Sequence, residues 1–279
     1  MVTRTHIVLV GHTELDFSGS WALYDRVQPL IDRVADTTGK RPRVTYCGTA
    51  EFFGEKLVEA FRFVERGDEV GVHSHLPGAH RPKHRYQGRY AYRFDEHGVL
   101  NQDRVAGPLR QLAVALGLPA PQTHVSGMFT FHPRTIAVLE EAGLAVDCSV
   151  LPGIPATRHP ASGDFVLADN SRRTDPRPYR PSRDDPWVAG DSRLVEFPVS
   201  GNLGGENLDG QLEALRQRLD GGRPVDVFQS YWHHFEFAQL GWTKGNLDDA
   251  ERFLIEAARV DGTEFSTAAQ AATAFAQES

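Results

Sequence analysis

The fold prediction rests on residues 65–75, which read Glu-Arg-Gly-Asp-Glu-Val-Gly-Val-His-Ser-His. Gly67 ends an amphipathic helix of about residues 49–66, because glycine adopts the backbone conformation that closes helices. Residues 68–73 then form a short β-rich run, and two histidines separated by one residue stand at its end. This segment therefore predicts a helix, a buried strand and a polar strand end in direct succession.

The same alternation of strands and helices extends along most of the chain. The predicted strands or extended segments cover residues 6–10, 43–47, 68–73, 124–127, 144–150, 193–199 and 225–231. The predicted helices cover about residues 21–38, 49–66, 103–116, 132–142, 208–219, 247–260 and an alanine-rich stretch at about 263–277. Strands separated by helices pair in parallel, so we predict one α/β domain shaped as a (β/α) barrel or a distorted version of one. Two long loop insertions, at 76–98 and 152–192, interrupt the alternation.

Composition excludes several classes of protein. The 279 residues carry a net charge of −7, are 40% hydrophobic and are 24% charged, which is typical of an ordinary globular protein. A net-acidic chain is not expected to bind nucleic acid. We find no apolar run of about 20 residues and no signal peptide, so we expect no membrane contact and a cytoplasmic location. The oligomeric state stays open.

Histidines and carboxylates cluster at the ends of three predicted strands. The first strand is followed by His12, Glu14 and Asp16, the third by the two histidines quoted above with His80 nearby, and a late strand by His233 and Glu236. Barrel enzymes place their chemistry at the carboxyl ends of the strands. The twelve histidines of the chain are therefore not scattered, and several of them predict one site.

His73 and His75 are the strongest candidates for metal ligands. In an extended segment, residues i and i+2 point to the same side, so both imidazoles can reach one ion. Zinc binds histidine and carboxylate ligands and keeps one position open in catalytic sites. Glu14 or Asp16 would supply the third ligand. The alternative is that the histidines only begin a polar loop and bind nothing.

Several segments together resemble the polysaccharide deacetylase family (carbohydrate esterase family 4, NodB homology domain). The likeness covers residues 65–74, 127–129 with 132–135, 139–150, 196–199 and 233–237, in the order found in that family. It extends over most of the chain, from about residue 6 to residue 260.

The resemblance implies a distorted (β/α)7 barrel, with residues 1–279 as a single domain, a core at about 6–260 and a terminal helix at about 263–277. It also implies metal-dependent hydrolysis of an N-acetyl group on an acetamido sugar or a related small amide. In that family an Asp-His-His set binds zinc or a similar divalent ion, a second Asp is the base and a late His is the acid.

The chain departs from the family pattern at three places. The paired aspartates fall at His12-Thr13-Glu14, so Glu14 becomes the metal carboxylate and His12 the base, with Asp16 as the substitute for either role. The second metal histidine would fall at Pro77, so His75, or else His80, takes its place. The arginine that orients the base falls near Val125.

The resulting expectation is a site in which Glu14, His73 and His75 hold Zn²⁺ and His12 or Asp16 accepts a proton from water. His233 would then protonate the leaving amine, with Glu236 orienting it. Substrate contacts are expected from Glu236, from one further carboxylate and from aromatic side chains. These residues are Asp147, Tyr179, Trp232, Trp187, Tyr86, Tyr90 and Tyr92.

Three rival interpretations stay open from the sequence. The first is a metal-dependent hydrolase of the amidohydrolase type, although its His-x-His pair lies on the first strand rather than the third. The second is hydrolysis of another C–N or acyl bond on the same fold. The third is a non-catalytic carbohydrate-binding relative.

Overall fold

The computed structural model describes residues 4–15, 21, 26–75, 93–154, 157–158, 166–205, 207–221, 223–238 and 245–278. The strands are β1 (Arg4–Thr13), β2 (Val44–Gly48), β3 (Glu69–Ser74), β4 (Thr123–Ser126), β5 (Val146–Asp147), β6 (Thr157–Arg158), β7 (Val166–Ala168), β8 (Val195–Glu196), β9 (Val199–Asn202), β10 (Val225–His233) and β11 (Thr263–Phe265). The helices are α1 (Val27–Thr38), α2 (Ala50–Glu55), α3 (Leu57–Glu65), α4 (Ala106–Ala115), α5 (Thr135–Glu141), α6 (Leu208–Asp220), α7 (Leu247–Arg259) and α8 (Ala268–Glu278).

One parallel sheet organises the described part of the chain. Its strand order is β8-β5-β4-β3-β2-β1-β10-β9, and β11 pairs with the first half of β1. The two edge strands β8 and β9 are separated in sequence only by Phe197 and Pro198. The backbone N–H of Val199 also donates to the carbonyl of Val150, just beyond β5, at 2.8 Å. The sheet must therefore curl until its edges meet, which confirms the predicted distorted barrel.

Two hydrophobic layers follow from the alternation of side chains along the strands. Val8 and Val10 belong to a cluster that fills the barrel. Its other members lie in the strands, directly beside them, or in α8. Ile7 and Leu9 belong to a larger cluster that includes residues of α1 and α7 outside the sheet. Both faces of β1 are thus buried, which explains its continuous apolar sequence.

Helix α8 closes the end of the barrel where the strands begin. Ala268 and Ala271 are fully buried in the interior cluster. At the start of the helix, the N–H of Ala268 donates to Thr45 Oγ1 at 2.9 Å and that of Ala269 to Glu69 Oε2 at 3.0 Å. The opposite end of the barrel, where the strands finish, is left for the candidate site.

The predicted elements are present, but some bounds were wrong. Residues 263–265 form β11 rather than the start of the terminal helix, because their backbone pairs with Thr5–Ile7. The predicted helix at 49–66 breaks at Lys56, whose backbone is not helical. The predicted strand at 193–199 divides around Pro198, which has no N–H to donate to a sheet. Among the described residues, none of the helices combines the length and the apolar character needed to cross a bilayer.

Candidate metal centre

Three strands of the sheet, β1, β3 and β10, bring the predicted site residues to one rim of the barrel. In the register of β1 against β10, His12 lies directly opposite His233. β3 lies two strands away on the other side of β1 and ends at Ser74, between His73 and His75. Because all these strands are parallel, their carboxyl ends meet at the same rim.

Glu14, His73 and His75 form a buried three-residue cluster at this rim. Glu14 Oε2 lies 3.1 Å from His73 Nε2 and 3.2 Å from His75 Nε2. One potential ligand atom from each residue lies within 4.8 Å of the others, and in the described part of the chain no other group of this kind is found. Two imidazole nitrogens and one carboxylate oxygen are a donor set suited to zinc.

The hydrogen bonding of His73 fixes which of its nitrogens faces Glu14. His73 Nδ1 lies 3.0 Å from the backbone carbonyl of Val125. A carbonyl only accepts, so Nδ1 carries the hydrogen and the Nε2 of the neutral ring presents its lone pair to Glu14 Oε2. Two acceptors 3.1 Å apart repel unless a cation or an added proton lies between them. Metal-bound histidines commonly donate their second N–H to a carbonyl in this way, so these residues fit a divalent metal ion.

The position of His75 depends on the absence of a side chain at residue 127. A Cβ added to Gly127 would lie 2.4 Å from Cε1 of the His75 ring and 2.5 Å from its Nε2. Such distances are far below van der Waals contact. Gly127 follows the last residue of β4, so the barrel uses a glycine at this strand end to accommodate a histidine of the neighbouring strand.

A second histidine pair borders the cluster. His12 Nδ1 lies 3.1 Å from His233 Nε2, and His233 Nε2 lies 3.4 Å from Glu14 Oε1. Glu236 supports His233 twice, because one of its carboxylate oxygens accepts the backbone N–H of His233 at 2.8 Å and the other lies 3.4 Å from Nδ1. Glu236 therefore adjoins His233, and His233 in turn faces His12.

The two imidazoles of this pair have pKa values that move in opposite directions. Burial lowers the pKa of His12 well below its ordinary value, and the neighbouring rings of His233 and His73 lower it further. Burial also disfavours the cation at His233, but the hydrogen bond and charge of Glu236, with the charge of Glu14, raise its pKa overall. An added proton is therefore held on His233 rather than on His12.

Aromatic side chains enclose His12. The rings of Phe129 and Tyr231 lie 5.5 and 5.2 Å from the imidazole of His12. Phe129 and its neighbour Met128 both have positive φ angles, of 54° and 57°, which is uncommon for residues other than glycine. Strained backbone of this kind persists only where surrounding structure enforces it, and here it brings Phe129 to the site. His12 Nε2 is buried and has no hydrogen-bond partner among the described residues.

The structure places the remaining predicted residues as follows. Asp16 and His80, with Tyr86, Tyr90 and Tyr92, lie outside the described residues. Glu236 contacts His233, as expected for a residue that orients it. Trp187 is partly buried, and its Nε1 donates to Asn170 Oδ1 at 3.3 Å.

Three of the residues predicted to contact substrate have buried packing positions in this structure. Trp232 belongs to the outer hydrophobic layer against Tyr46, because it alternates with the inward-facing His233. Asp147 is fully buried on the outer face of the sheet, between the inward-facing Val146 and Cys148. Tyr179 is also buried, and its hydroxyl donates to the carbonyl of Pro186 at 2.7 Å, so it secures a loop.

Three features of the site are not predicted from the sequence: the carbonyl of Val125, the space at Gly127 and the ring of Phe129. His124, which the sequence places as a possible neighbour of the site, is buried behind the Glu14–His73–His75 cluster. The sequence does carry one signal for Gly127, since a glycine directly after a strand often marks a close approach of other atoms.

No protein-family model matches the chain, and no curated protein sequence matches it. Solved structures do match over nearly its whole length. A protein from Parabacteroides distasonis assigned as a glycoside hydrolase/deacetylase is 14% identical with a TM-score of 0.61, over 100% of this chain and 73% of its own. A protein from Pseudomonas aeruginosa PAO1 assigned as a polysaccharide deacetylase is 14% identical with a TM-score of 0.58, over 98% and 91%. Puue allantoinase is 16% identical with a TM-score of 0.57, over 98% and 90%.

These identities are low, so the comparisons establish the fold rather than the activity. Several of the structural neighbours are assigned as polysaccharide deacetylases or as a glycoside hydrolase/deacetylase. The resemblance inferred from the sequence motifs is therefore confirmed at the level of the fold.

Proposed function

We propose that the protein is a metal-dependent hydrolase that removes the acetyl group from an acetamido sugar or a related small amide. The observation that carries the proposal is the position of Glu14 against the lone pair of His73 and against His75, in a buried cluster at the catalytic rim of the barrel. These two acceptors need a cation or an added proton between them, and the proposal is that the cation is a divalent metal ion.

Glu14, His73 and His75 would hold the ion, for which Zn²⁺ is the expected identity given two nitrogen ligands and one oxygen ligand. When bound, such an ion polarises the acyl oxygen of the substrate and acidifies water. Thr13 separates His12 from Glu14 in sequence, so both side chains project from the inner face of β1.

His12 is proposed to accept the proton of the attacking water at Nε2. The low pKa of His12 keeps its ring neutral, and donation from Nδ1–H to His233 Nε2 leaves the Nε2 lone pair available. As Nε2 takes a proton, Nδ1–H can pass to His233, where Glu236 and Glu14 stabilise the imidazolium. The C–N bond then breaks, and His233 donates its proton to the leaving nitrogen as the general acid. Proton exchange with water must then return the hydrogen of His12 from Nε2 to Nδ1 before the next turnover.

The substrate class is proposed from the deacetylase neighbours and from the sequence motifs. A cytoplasmic enzyme would act on a soluble sugar precursor or a small amide rather than on an insoluble polymer. Phe129 beside His12 offers an apolar surface for the face of a sugar ring.

Hydrolysis of another C–N bond is the second candidate. Puue allantoinase matches this chain nearly as well as the deacetylases do, so the fold does not separate the two activities. The replacement of the expected aspartate base by His12 also separates this site from the deacetylase pattern. A substrate panel must therefore contain both acetamido sugars and allantoin.

The deciding experiment combines metal analysis with product detection. Purified protein is expected to contain about one divalent ion per chain and to release acetate from at least one acetamido sugar. The double substitution His73→Ala/His75→Ala is expected to abolish both. His97→Ala is the matched control, because His97 is exposed and does not belong to the Glu14–His73–His75 cluster. A folded wild type that binds no divalent ion would overturn the proposal, and activity on allantoin alone would favour the second candidate.

A further inference from the structure

A fully buried hydrogen-bonded path lies behind the metal cluster, on the outer face of the sheet. Ser74 Oγ lies 2.7 Å from His124 Nε2, and His124 Nδ1 lies 2.5 Å from Asp147 Oδ1. All three residues have no accessible surface. They belong to three adjacent strands, β3, β4 and β5, so the path crosses the sheet directly beneath its rim.

The donors and acceptors of this path have one consistent arrangement. Asp147 Oδ1 also accepts the hydroxyl of Ser149 at 2.8 Å, so this oxygen acts as an acceptor in the path. His124 therefore donates from Nδ1, and its Nε2 accepts the hydroxyl of Ser74. Because Ser74 lies between His73 and His75 in sequence, this hydrogen bond fixes the strand at the point from which both histidines project inward.

Strand β4 divides its residues between the two faces in the same way. Its outward residues His124 and Ser126 are anchored in the buried network, where the N–H of Ser126 donates to Ser149 Oγ at 2.8 Å. On the inner side, the carbonyl of Val125 accepts a hydrogen bond from His73 Nδ1. The absence of a side chain at Gly127 leaves room there for the ring of His75. Along β4, the outward residues held by the buried network thus alternate with inward positions that contact His73 or His75.

We infer that His124 and Asp147 are positioning residues that set the orientation of His73 and His75 through Ser74. That these two histidines bind a metal ion rests on the proposed function. That the buried path sets their orientation does not depend on it. A buried carboxylate and imidazole are costly unless every polar atom is satisfied, so replacing either partner should disturb the strand that carries the ligands.

The test is a double-mutant cycle in the full-length protein with Zn²⁺ affinity as the readout. Ser74→Ala and His124→Asn each remove the hydrogen bond between residues 74 and 124. Each is expected to raise the Kd for Zn²⁺ roughly 10- to 100-fold, as is usual when groups that support metal ligands are replaced. The double variant should be no weaker than the weaker single variant. His124→Gln should bind more tightly than His124→Asn, because the longer amide can still accept from Ser74.

Ser266→Ala is the matched control for loss of stability. His6 Nδ1 lies 2.8 Å from Ser266 Oγ at the other end of the barrel, so this variant removes a buried Ser–His hydrogen bond of similar length. It is expected to lower the melting temperature comparably and to leave the Kd unchanged. Unchanged Zn²⁺ affinity in both single variants, or effects that multiply in the double variant, would overturn the inference.

A readout in metal-free protein separates this inference from the proposed function. Nitrogen-15 NMR of wild type should find His73 with its hydrogen on Nδ1, and Ser74→Ala and His124→Asn should populate both tautomers. If wild type binds no Zn²⁺ but these tautomers respond as expected, the metal proposal fails and the positioning role stands. If the tautomers do not respond, the positioning role is wrong.

Discussion

His12 and His233 face each other across the ends of β1 and β10, with Nδ1 of one ring 3.1 Å from Nε2 of the other. Their contact follows from strand register, since the two residues are directly paired in the parallel ladder. The carboxylate of Glu236 lies on the far side of His233 and not beside His12. The pair is therefore polarised, with its proton-accepting end at His12 Nε2 and its charge-stabilising end at Glu236.

This arrangement predicts that His12→Gln removes catalysis without removing the metal. Loss of a general base typically lowers the rate roughly 100- to 10,000-fold, and His12 is not one of the three proposed ligands. The measurements are kcat for acetate release and the zinc content of the purified variant, with His97→Gln as an exposed control. A variant that keeps wild-type kcat would exclude His12 as the base and direct attention to Asp16.

Gly127→Ala should disable the centre by steric displacement alone. The new methyl group would lie 2.4 Å from the ring of His75, so the ring must leave the position in which Nε2 faces Glu14. We expect at least roughly tenfold weaker Zn²⁺ binding, as for other changes that misplace a metal ligand.

Gly107→Ala is the control for that experiment. A Cβ at this position, in α4, would lie 3.6 Å from the Cβ of Ala142, which is an ordinary contact. It should stabilise the protein by up to about 1 kcal/mol, because alanine favours helix over glycine, and it should leave Zn²⁺ affinity unchanged. Equal Kd values for the two alanine variants would contradict the steric argument.

Much of this architecture is encoded locally and could be predicted. The apolar run of β1, the helix stop at Gly67 and the His73-Ser74-His75 pattern each depend on a few neighbouring residues. The alternation of side chains in a strand also predicts that Trp232 and His233 face opposite sides of the sheet, as they do here. The carbonyl of Val125 could not be foreseen, and Gly127 signals a close approach without naming His75 as the residue that makes it, because both contacts depend on how β4 lies against β3.

The pH dependence of stability should reveal the charge of Asp103. Burial raises the pKa of Asp103 to about 6, although hydrogen bonds from Thr135 and Ser126 act in the opposite direction. The unfolded chain has the ordinary pKa of about 3.9, so the folded state binds this proton more tightly. The resulting stabilisation is complete below about pH 4 and is lost as the pH rises through about 6.

Asp103→Asn removes this dependence. Relative to wild type, the variant should gain roughly 2 to 3 kcal/mol in free energy of unfolding between pH 4 and pH 7, which corresponds to about two pKa units. Urea unfolding of both proteins at several pH values measures the difference. Parallel curves over this range would mean that Asp103 is not held in its protonated form.

Glu69 should hold α8 against the barrel, at the end opposite the metal centre. Its carboxylate accepts hydrogen bonds from Thr123 Oγ1 at 2.6 Å, from Thr45 Oγ1 at 3.1 Å and from the N–H of Ala269 at 3.0 Å. Glu69→Ala leaves these donors without their acceptor, so we expect a loss of roughly 1 to 3 kcal/mol in the free energy of unfolding. Glu69→Gln should lose less, because its amide oxygen can still accept.

Hydrogen exchange in α8 should accelerate in Glu69→Ala while Zn²⁺ affinity stays at the wild-type value, since the two ends of the barrel are stabilised by different residues. Faster exchange at the rim that carries His73, with α8 still protected, would refute this division.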